Sequence, residues 1–142
     1  MNIHNLEYGI QEHHSSHLHY DLRLQNPENK HKCFSWAIPK NISGKIGEKK
    51  LAIYTGDTHP MEWLYYQGTK IGSNKYYEGD GSKHYGAGNY ILWDVGNYKL
   101  LEKSENKLVI EIHGYKIKHT YCLLKPKNIK NPKAWFIYRK KN

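Results

Sequence analysis

The chain has few of the residues that staple small folds together or carry a chain through a membrane. Only two of its 142 residues are cysteines, Cys33 and Cys122. Two cysteines without repeated spacing exclude a disulfide framework and a four-cysteine zinc site. The sequence shows no signal-peptide pattern and no transmembrane apolar run. We therefore expect reduced core thiols in a cytoplasmic protein with no membrane partner.

Acidic residues are scarce relative to basic ones. Lysine and arginine number 22 against 13 acids, which gives a formal charge of +9 and a pI near 9.4. This imbalance favours a polyanionic partner such as nucleic acid. Thirteen tyrosines and four tryptophans point the same way because aromatic rings stack on bases, although such rings also fill β cores. Charge alone leaves a merely soluble, lysine-rich protein as an equal alternative.

A helical apolar stripe is also lacking, whereas short strand-like runs separated by turn residues recur along the chain. We expect strands at 8–11, 19–25, 32–37, 51–55, 61–67, 90–93, 108–112, 119–124 and 135–138. This pattern predicts an all-β, compact antiparallel barrel or sandwich of about eight strands. The length fits one domain, 1–142, in which residues 1–7 form a loose lead-in and 74–83 an inserted loop.

The richest stretch chemically is Gln11–Gln25, which holds four of the ten histidines. His19, Asp21 and Arg23 alternate with apolar residues, so on a half-buried strand they share one polar face. The short Ser15-Ser16 loop brings His13 back to the same face. Two imidazoles and a carboxylate suit manganese, iron, zinc or cobalt and leave ligand positions open.

Arg23 extends the prediction from a metal site to an anion site. A planar guanidinium next to an open metal position matches phosphate or carboxylate, and we expect phosphate. The plainer interpretation is a set of solvated surface histidines. That interpretation does not explain why Asp21 and Arg23 lie on the same strand face as His19.

The same stretch resembles the signature of the DNA-repair 3′-phosphoesterase domain, which occurs fused to bacterial ligase D polypeptides and as standalone proteins. The resembling residues are Gln11, His13, His19, Tyr20, Asp21, Leu22, Arg23 and Leu24. Further similar motifs follow in order at 35–40, 51–53, 59–60, 85–88 and 93–94. The resemblance extends from about Tyr8 to Trp135 and implies a β-barrel with a polar active-site groove.

The resemblance implies roles for individual residues. His13, His19 and Asp21 would hold Mn²⁺, with Zn²⁺ or Co²⁺ as other candidate ions. Arg23, together with Lys40 and Lys50 as substrate-binding residues, would neutralise phosphate charge. His59 would donate a hydrogen bond to a phosphate oxygen or protonate the leaving group. Gln11 is a further candidate for substrate binding.

Two departures from the family pattern lie near His59. One residue is inserted in the turn before His59, and Trp63 stands where the family has a phosphate-binding tyrosine. An indole has no hydroxyl with which to replace a phenol. If 61–67 is a strand, Tyr65 lies on the same face as Trp63 and is the candidate substitute in substrate binding.

On the family resemblance, we expect a manganese-dependent enzyme that removes a 3′-phosphate, and also a 3′-terminal ribonucleoside, from nucleic-acid ends in DNA repair. We expect a monomer that works beside a separate DNA ligase or polymerase. The main alternative is a non-catalytic basic nucleic-acid-binding β-barrel, which would leave the histidine cluster unused. A cupin-like metal oxygenase is a weaker alternative, because His17 and His19 lack the later glutamate-histidine motif.

Overall fold

A computed structural model describes residues 3–42, 44–70 and 88–141 and consists almost entirely of strands. The strands are β1 (Ile3–His14), β2 (Leu18–Asn26), β3 (Asn29–Ile38), β4 (Lys50–Pro60), β5 (Gly68–Lys70), β6 (Gly88–Ser104), β7 (Lys107–Gly114), β8 (Thr120–Leu124) and β9 (Ala134–Lys140). A 3-10 helix, Met61–Tyr65, lies between β4 and β5. Among these described residues, no helix has the length and apolar character needed to cross a membrane.

Eight of the strands close into an antiparallel barrel. Their order is β1-β2-β3-β4-β9-β8-β7-β6, and an additional pairing of β1 with β6 closes the ring. β5 pairs with β6 outside this ring. The predicted all-β antiparallel barrel of about eight strands is therefore confirmed.

Strand alternation separates an apolar interior from a polar outer face on β1, β2 and β3. Inward-facing side chains form one hydrophobic cluster that includes Tyr8, Ile10, Leu22, Leu24 and Trp36. The residues of opposite parity are polar, and several are nevertheless buried: Gln11, His13, Asp21, Arg23, Gln25 and Ser35. Because polar groups are costly to bury without partners, this outer face must satisfy them internally or with a ligand.

Two sequence predictions about local structure are wrong. Ile3–Glu7 are the start of β1 rather than a loose lead-in, and Ile3 and Leu6 already pair with β6. The segment 61–67 is not a strand, because Met61–Tyr65 form the 3-10 helix after Pro60. The predicted inserted loop at 74–83 lies outside the described residues.

The 3-10 helix replaces the predicted strand because contacts with β1 favour a compact turn. Leu64 is fully buried against Gly9, where a β-carbon would lie 2.9 Å from the Leu64 carbonyl oxygen. The side chain of Gln11 donates to the carbonyl oxygens of Trp63 and Tyr66 at 2.7 and 2.9 Å. These two carbonyl oxygens therefore accept hydrogen bonds from a side chain instead of from a neighbouring strand. The alternating aromatic pattern of the sequence does not indicate this contact.

Candidate metal centre

Three potential metal ligands meet on the outer face of the first hairpin. His13 on β1 pairs directly with His19 on β2, and Gln11 pairs with Asp21 in the next row of the same face. Since directly paired residues point to the same side of a sheet, this register brings both imidazoles and the carboxylate together.

The donor atoms of His13, His19 and Asp21 all lie within 4.8 Å of one another. His13 Nδ1 is 2.8 Å from His19 Nε2 and 3.2 Å from Asp21 Oδ2, and His19 Nε2 is 3.2 Å from Asp21 Oδ1. Adjacent ligands held about 2.1 Å from one ion at right angles lie about 3.0 Å apart. The donor set therefore fits a single divalent ion with neutral imidazole and carboxylate ligands.

Among the described residues of the cluster, His19 is the most exposed. The side chains of His13 and Asp21 are 3% and 8% exposed, whereas that of His19 is 24% exposed. The described part of the chain thus offers a ligand from solvent access at His19.

Electrostatics favour a charged carboxylate in this buried position. Burial alone would raise the pKa of Asp21, but hydrogen bonds from His13 and His19 and the charge of Arg23 outweigh it and bring the pKa well below its usual range. For His19, burial lowers the pKa, while the hydrogen bond and charge of Asp21 outweigh that effect, so its pKa is raised overall. The carboxylate of Asp21 is thus anionic at neutral pH, which is the form that can bind a metal ion.

Arg23 lies behind the cluster and is only 4% exposed. Its Nε donates to Gln11 Oε1 at 3.0 Å and its Nη1 to Ser35 Oγ at 2.9 Å. Its Nη2 is 3.8 Å from Asp21 Oδ2. The guanidinium therefore fixes the position and charge of Asp21 and links β1, β2 and β3.

β-Bulges bring His59 to the same face. The β3–β4 register shifts between Cys33 and Ser35 and again between Ser35 and Trp36, so that Cys33 pairs with His59 and Ser35 with Gly56. The extra residues of β4 are accommodated at Gly56, whose φ of +127° strongly favours glycine. As a result, the two register shifts place the imidazole of His59 on the face that carries Ser35 and Arg23.

His59 is held in its neutral form. Burial, followed by the positive charge of Arg23, lowers the pKa of His59 to about 4. Its Nδ1 is buried and makes no hydrogen bond within the described residues. A buried polar nitrogen of this kind marks a place for a ligand atom or water beside the cluster.

Trp63, Tyr66 and Tyr90 form an aromatic cluster that contacts Arg23 and His13. Trp63 contacts Tyr66 and Tyr90, with ring centroids 5.3 and 5.8 Å apart, and its ring centre lies 5.6 Å from Cζ of Arg23. Tyr90 stacks on His13. The sequence singled out Trp63 but gave no role to Tyr66 or Tyr90, since the β1–β6 pairing that places Tyr90 joins residues far apart in the chain.

The structure does not bring Tyr65 to the cluster. Its hydroxyl donates to the carboxylate of Glu7, which lies four residues before Gln11 on β1, a distance of about 13 Å along a strand. The parity argument for Tyr65 assumed a strand, and the 3-10 helix removes that assumption.

Lys40 and Lys50 line one cavity, and Lys40 follows the end of β3, which pairs with β2 up to Tyr20 and Ile38. Glu48 and Lys49 also line this cavity, which lies at the ends of β3 and β4. Lys50 donates to the carbonyl of Asn41 and is 3.5 Å from Glu48. Gln11 is at the cluster but is fully buried, and its amide binds Arg23, Trp63 and Tyr66. Its contacts indicate a positioning residue instead of a substrate ligand.

Comparisons with known proteins agree with the sequence resemblance. A family model described as the DNA ligase D 3′-phosphoesterase domain matches residues 11–125. A multifunctional non-homologous end joining protein LigD from Mycolicibacterium smegmatis is 33% identical over 97% of this chain, which covers 17% of that relative. The chain matches a protein of the same description from Pseudomonas aeruginosa at 30% identity over 96% of its length, covering 15% of the relative.

A third relative is the multifunctional non-homologous end joining DNA repair protein LigD of Mycobacterium tuberculosis H37Rv. It is 34% identical over 95% of this chain, which covers 16% of that relative. The chain thus spans about one sixth of the length of these curated relatives. The family match includes every residue of the His13, His19 and Asp21 cluster, together with Arg23 and His59. The chain belongs to the DNA ligase D 3′-phosphoesterase domain family.

Proposed function

We propose that this protein is a manganese-dependent phosphoesterase that removes a 3′-phosphate from nucleic-acid ends and leaves a 3′-hydroxyl. The observation that carries the proposal is the His13, His19 and Asp21 cluster, whose donor atoms are 2.8 to 3.2 Å apart inside the matched domain. Removal of a 3′-terminal ribonucleoside is a second activity of the same site. Zn²⁺ or Co²⁺ would suit the same ligands.

A divalent ion held by these residues would polarise the phosphoryl group and offset its negative charge. Asp21 serves this task as an anionic ligand, because Arg23 and the two imidazoles favour its charged form. Arg23 adds a fixed positive charge directly behind the ligand set. Phosphoryl transfer depends mainly on such positioning and charge neutralisation.

We assign to His59 the contact with the phosphate itself, because its buried Nδ1 makes no hydrogen bond within the described residues. It is neutral at pH 7 in the free protein, because its pKa is about 4. One ring nitrogen then carries a proton and donates a hydrogen bond to a phosphate oxygen. A bound phosphate dianion also favours the protonated ring and would raise the pKa of His59 toward the range in which it protonates a leaving oxygen.

The partner of this site is the 3′ end of a nucleic-acid strand. The formal charge of +9 favours the approach of a polyanion. In a cell the resulting 3′-hydroxyl would serve a DNA ligase or polymerase, in keeping with the end joining named for the LigD relatives. We further propose that the protein acts as a monomer in the cytoplasm.

The test is release of phosphate from a labelled primer-template that ends in a 3′-phosphate, incubated with purified protein. We expect a more slowly migrating 3′-hydroxyl product with Mn²⁺, because the strand loses the charge of its terminal phosphate, and no such product with a chelator. A parallel substrate with a single 3′-terminal ribonucleotide measures the second activity.

His19→Ala and Asp21→Ala are the variants that link activity to the cluster. Neither side chain belongs to the hydrophobic core, so both variants should fold and be inactive. If the protein bound the 3′-phosphate duplex but formed no product with any divalent ion tested, the proposal would be contradicted. The protein would then be a non-catalytic nucleic-acid-binding barrel. Retained turnover in either variant would show that these residues are not the ligands.

A further inference from the structure

We infer that Tyr90 is a positioning residue that holds the imidazole of His13 in the orientation needed to bind metal. The inference rests on the proposed metal centre and gives a task to a residue outside the ligand set. It concerns a ring that reaches the cluster from β6, whereas all three ligands come from β1 and β2.

The rings of His19, His13 and Tyr90 lie side by side on three neighbouring strands. Tyr90 on β6 and His19 on β2 both pair directly with His13, which lies on β1 between them. The Tyr90 and His13 rings are stacked, with centroids 3.9 Å apart and planes inclined by 15°. His19 meets the same imidazole edge-on, at 4.4 Å and 72°. The His13 ring is therefore confined on one face by Tyr90 and at its edge by His19.

A register shift produces this contact. The β1–β6 register changes between Ile10 and Gln11, where Ile10 pairs with Asp94 and Gln11 with Leu92. Without that shift, His13 would be paired with Ile91 instead of Tyr90. Tyr90 is 3% exposed and is itself enclosed by Trp63 and Tyr66, so its ring has little freedom to move.

Orientation of the His13 ring matters because χ2 of histidine is a soft torsion. Rotation of the ring out of its present plane would turn Nδ1 away from His19 Nε2 and from Asp21, to which it is now adjacent. Metal-binding histidines are usually oriented by a hydrogen bond from their second nitrogen. The flat face of Tyr90 adds a contact that holds the plane of the His13 ring. Mutation of residues that orient a metal ligand from outside the ligand set typically weakens metal binding about 10- to 100-fold.

The experiment is calorimetric titration of Mn²⁺ into the metal-free full chain for wild type, Tyr90→Met and Tyr90→Phe. Methionine fills the space of a ring but cannot stack, whereas phenylalanine keeps the ring. We expect Tyr90→Met to raise the Kd about 10- to 100-fold and Tyr90→Phe to stay within about threefold of wild type. Thermal melts followed by circular dichroism establish folding, and Tyr90→Leu replaces Tyr90→Met if the latter does not melt cooperatively.

Tyr98→Met is the matched control, because Tyr98 is a buried tyrosine of the same strand that faces the barrel interior. It should lower the melting temperature without changing the Kd for Mn²⁺. Wild-type affinity in Tyr90→Met, equal weakening in Tyr90→Phe, or equal weakening in Tyr98→Met would each overturn the positioning role while leaving the metal centre intact. Absence of Mn²⁺ binding by the wild type would overturn the metal centre itself and the inference with it.

Discussion

Asp21 combines three contacts that make it the most sensitive residue of the site. It accepts from both imidazoles and lies beside Arg23 in a pocket where its side chain is 8% exposed. Asp21→Asn keeps the shape but removes the negative charge, so we expect Mn²⁺ affinity and 3′-phosphate removal to fall more than about 100-fold. Glu105→Gln, at an exposed position in the turn between β6 and β7, is the control for loss of one carboxylate. Equal activity of the two variants would exclude Asp21 as a ligand.

The role of Arg23 in activity depends on the shape of its guanidinium as well as on its charge. Hydrogen bonds from Nε to Gln11 and from Nη1 to Ser35 use the fork of the side chain, which lysine lacks. We expect the kcat/KM of Arg23→Lys to fall to within about threefold of that of Arg23→Ala. Arg139→Lys on β9 should behave as wild type. Near wild-type turnover in Arg23→Lys would reduce Arg23 to a nonspecific positive charge.

His59 links the site to acid stability. Its pKa is about 4 in the folded protein and about 6.5 when unfolded, so the unfolded chain binds the extra proton between these values. The contribution to stability is complete above about pH 6.5 and is lost as the pH falls toward 4. After allowance for partial solvent screening, we expect a loss on the order of 2 kcal/mol.

The measurement compares urea unfolding of wild type and His59→Gln at pH 7.5 and pH 4.5. The wild type should lose more stability than the variant over this interval, because the other titrating groups are common to both. Equal losses in the two proteins would show that His59 is not held neutral by its surroundings.

At the level of secondary-structure elements, Gln11 ties the 3-10 helix to the barrel. Its amide donates to the carbonyls of Trp63 and Tyr66, and its oxygen accepts from Arg23. Gln11→Glu keeps the shape and the acceptor for Arg23 but removes both donors. We therefore expect hydrogen exchange across residues 61–67 to accelerate at least about tenfold, because an unpaired buried carbonyl costs about 1–3 kcal/mol.

Gln25→Glu provides the matched control for that experiment. Gln25 is also buried, and its amide donates to the carbonyl of Lys30 in the β2–β3 hairpin. Exchange in 61–67 should be unchanged in Gln25→Glu. If hydrogen exchange in 61–67 were faster in both variants, or in neither, Gln11 would not be the residue that holds the 3-10 helix on the barrel.

Sequence periodicity correctly predicted strands such as β2, in which polar and apolar residues alternate along the strand itself. Alternation in 19–25 placed His19, Asp21 and Arg23 on one face, and β2 has that arrangement. Alternating aromatic residues also suggested a strand at 61–67, but Gln11 and Gly9 stabilise a 3-10 helix through contacts about fifty residues away in the chain. The stacking of Tyr90 on His13 likewise depends on long-range pairing and a register shift, which periodicity does not encode.

At the scale of the whole molecule, the net charge of +9 should make nucleic-acid binding strongly dependent on salt. The slope of log K against log salt falls by about 0.9 for each phosphate contact that is removed. Lys40→Gln should reduce the slope by about that amount, since Lys40 is exposed near the end of β3. Lys127→Gln, on the connection from β8 to β9 across the barrel from β1, should leave it unchanged. Identical slopes for both variants and wild type would remove Lys40 from the binding surface.

The proposed function requires that His13, His19 and Asp21 together hold one catalytic divalent ion. Anomalous diffraction at the manganese edge, from crystals grown with Mn²⁺, would locate that ion. We expect one strong peak within bonding distance of His13 Nδ1, His19 Nε2 and an oxygen of Asp21. A peak at other residues, or density at this cluster without anomalous signal, would contradict it.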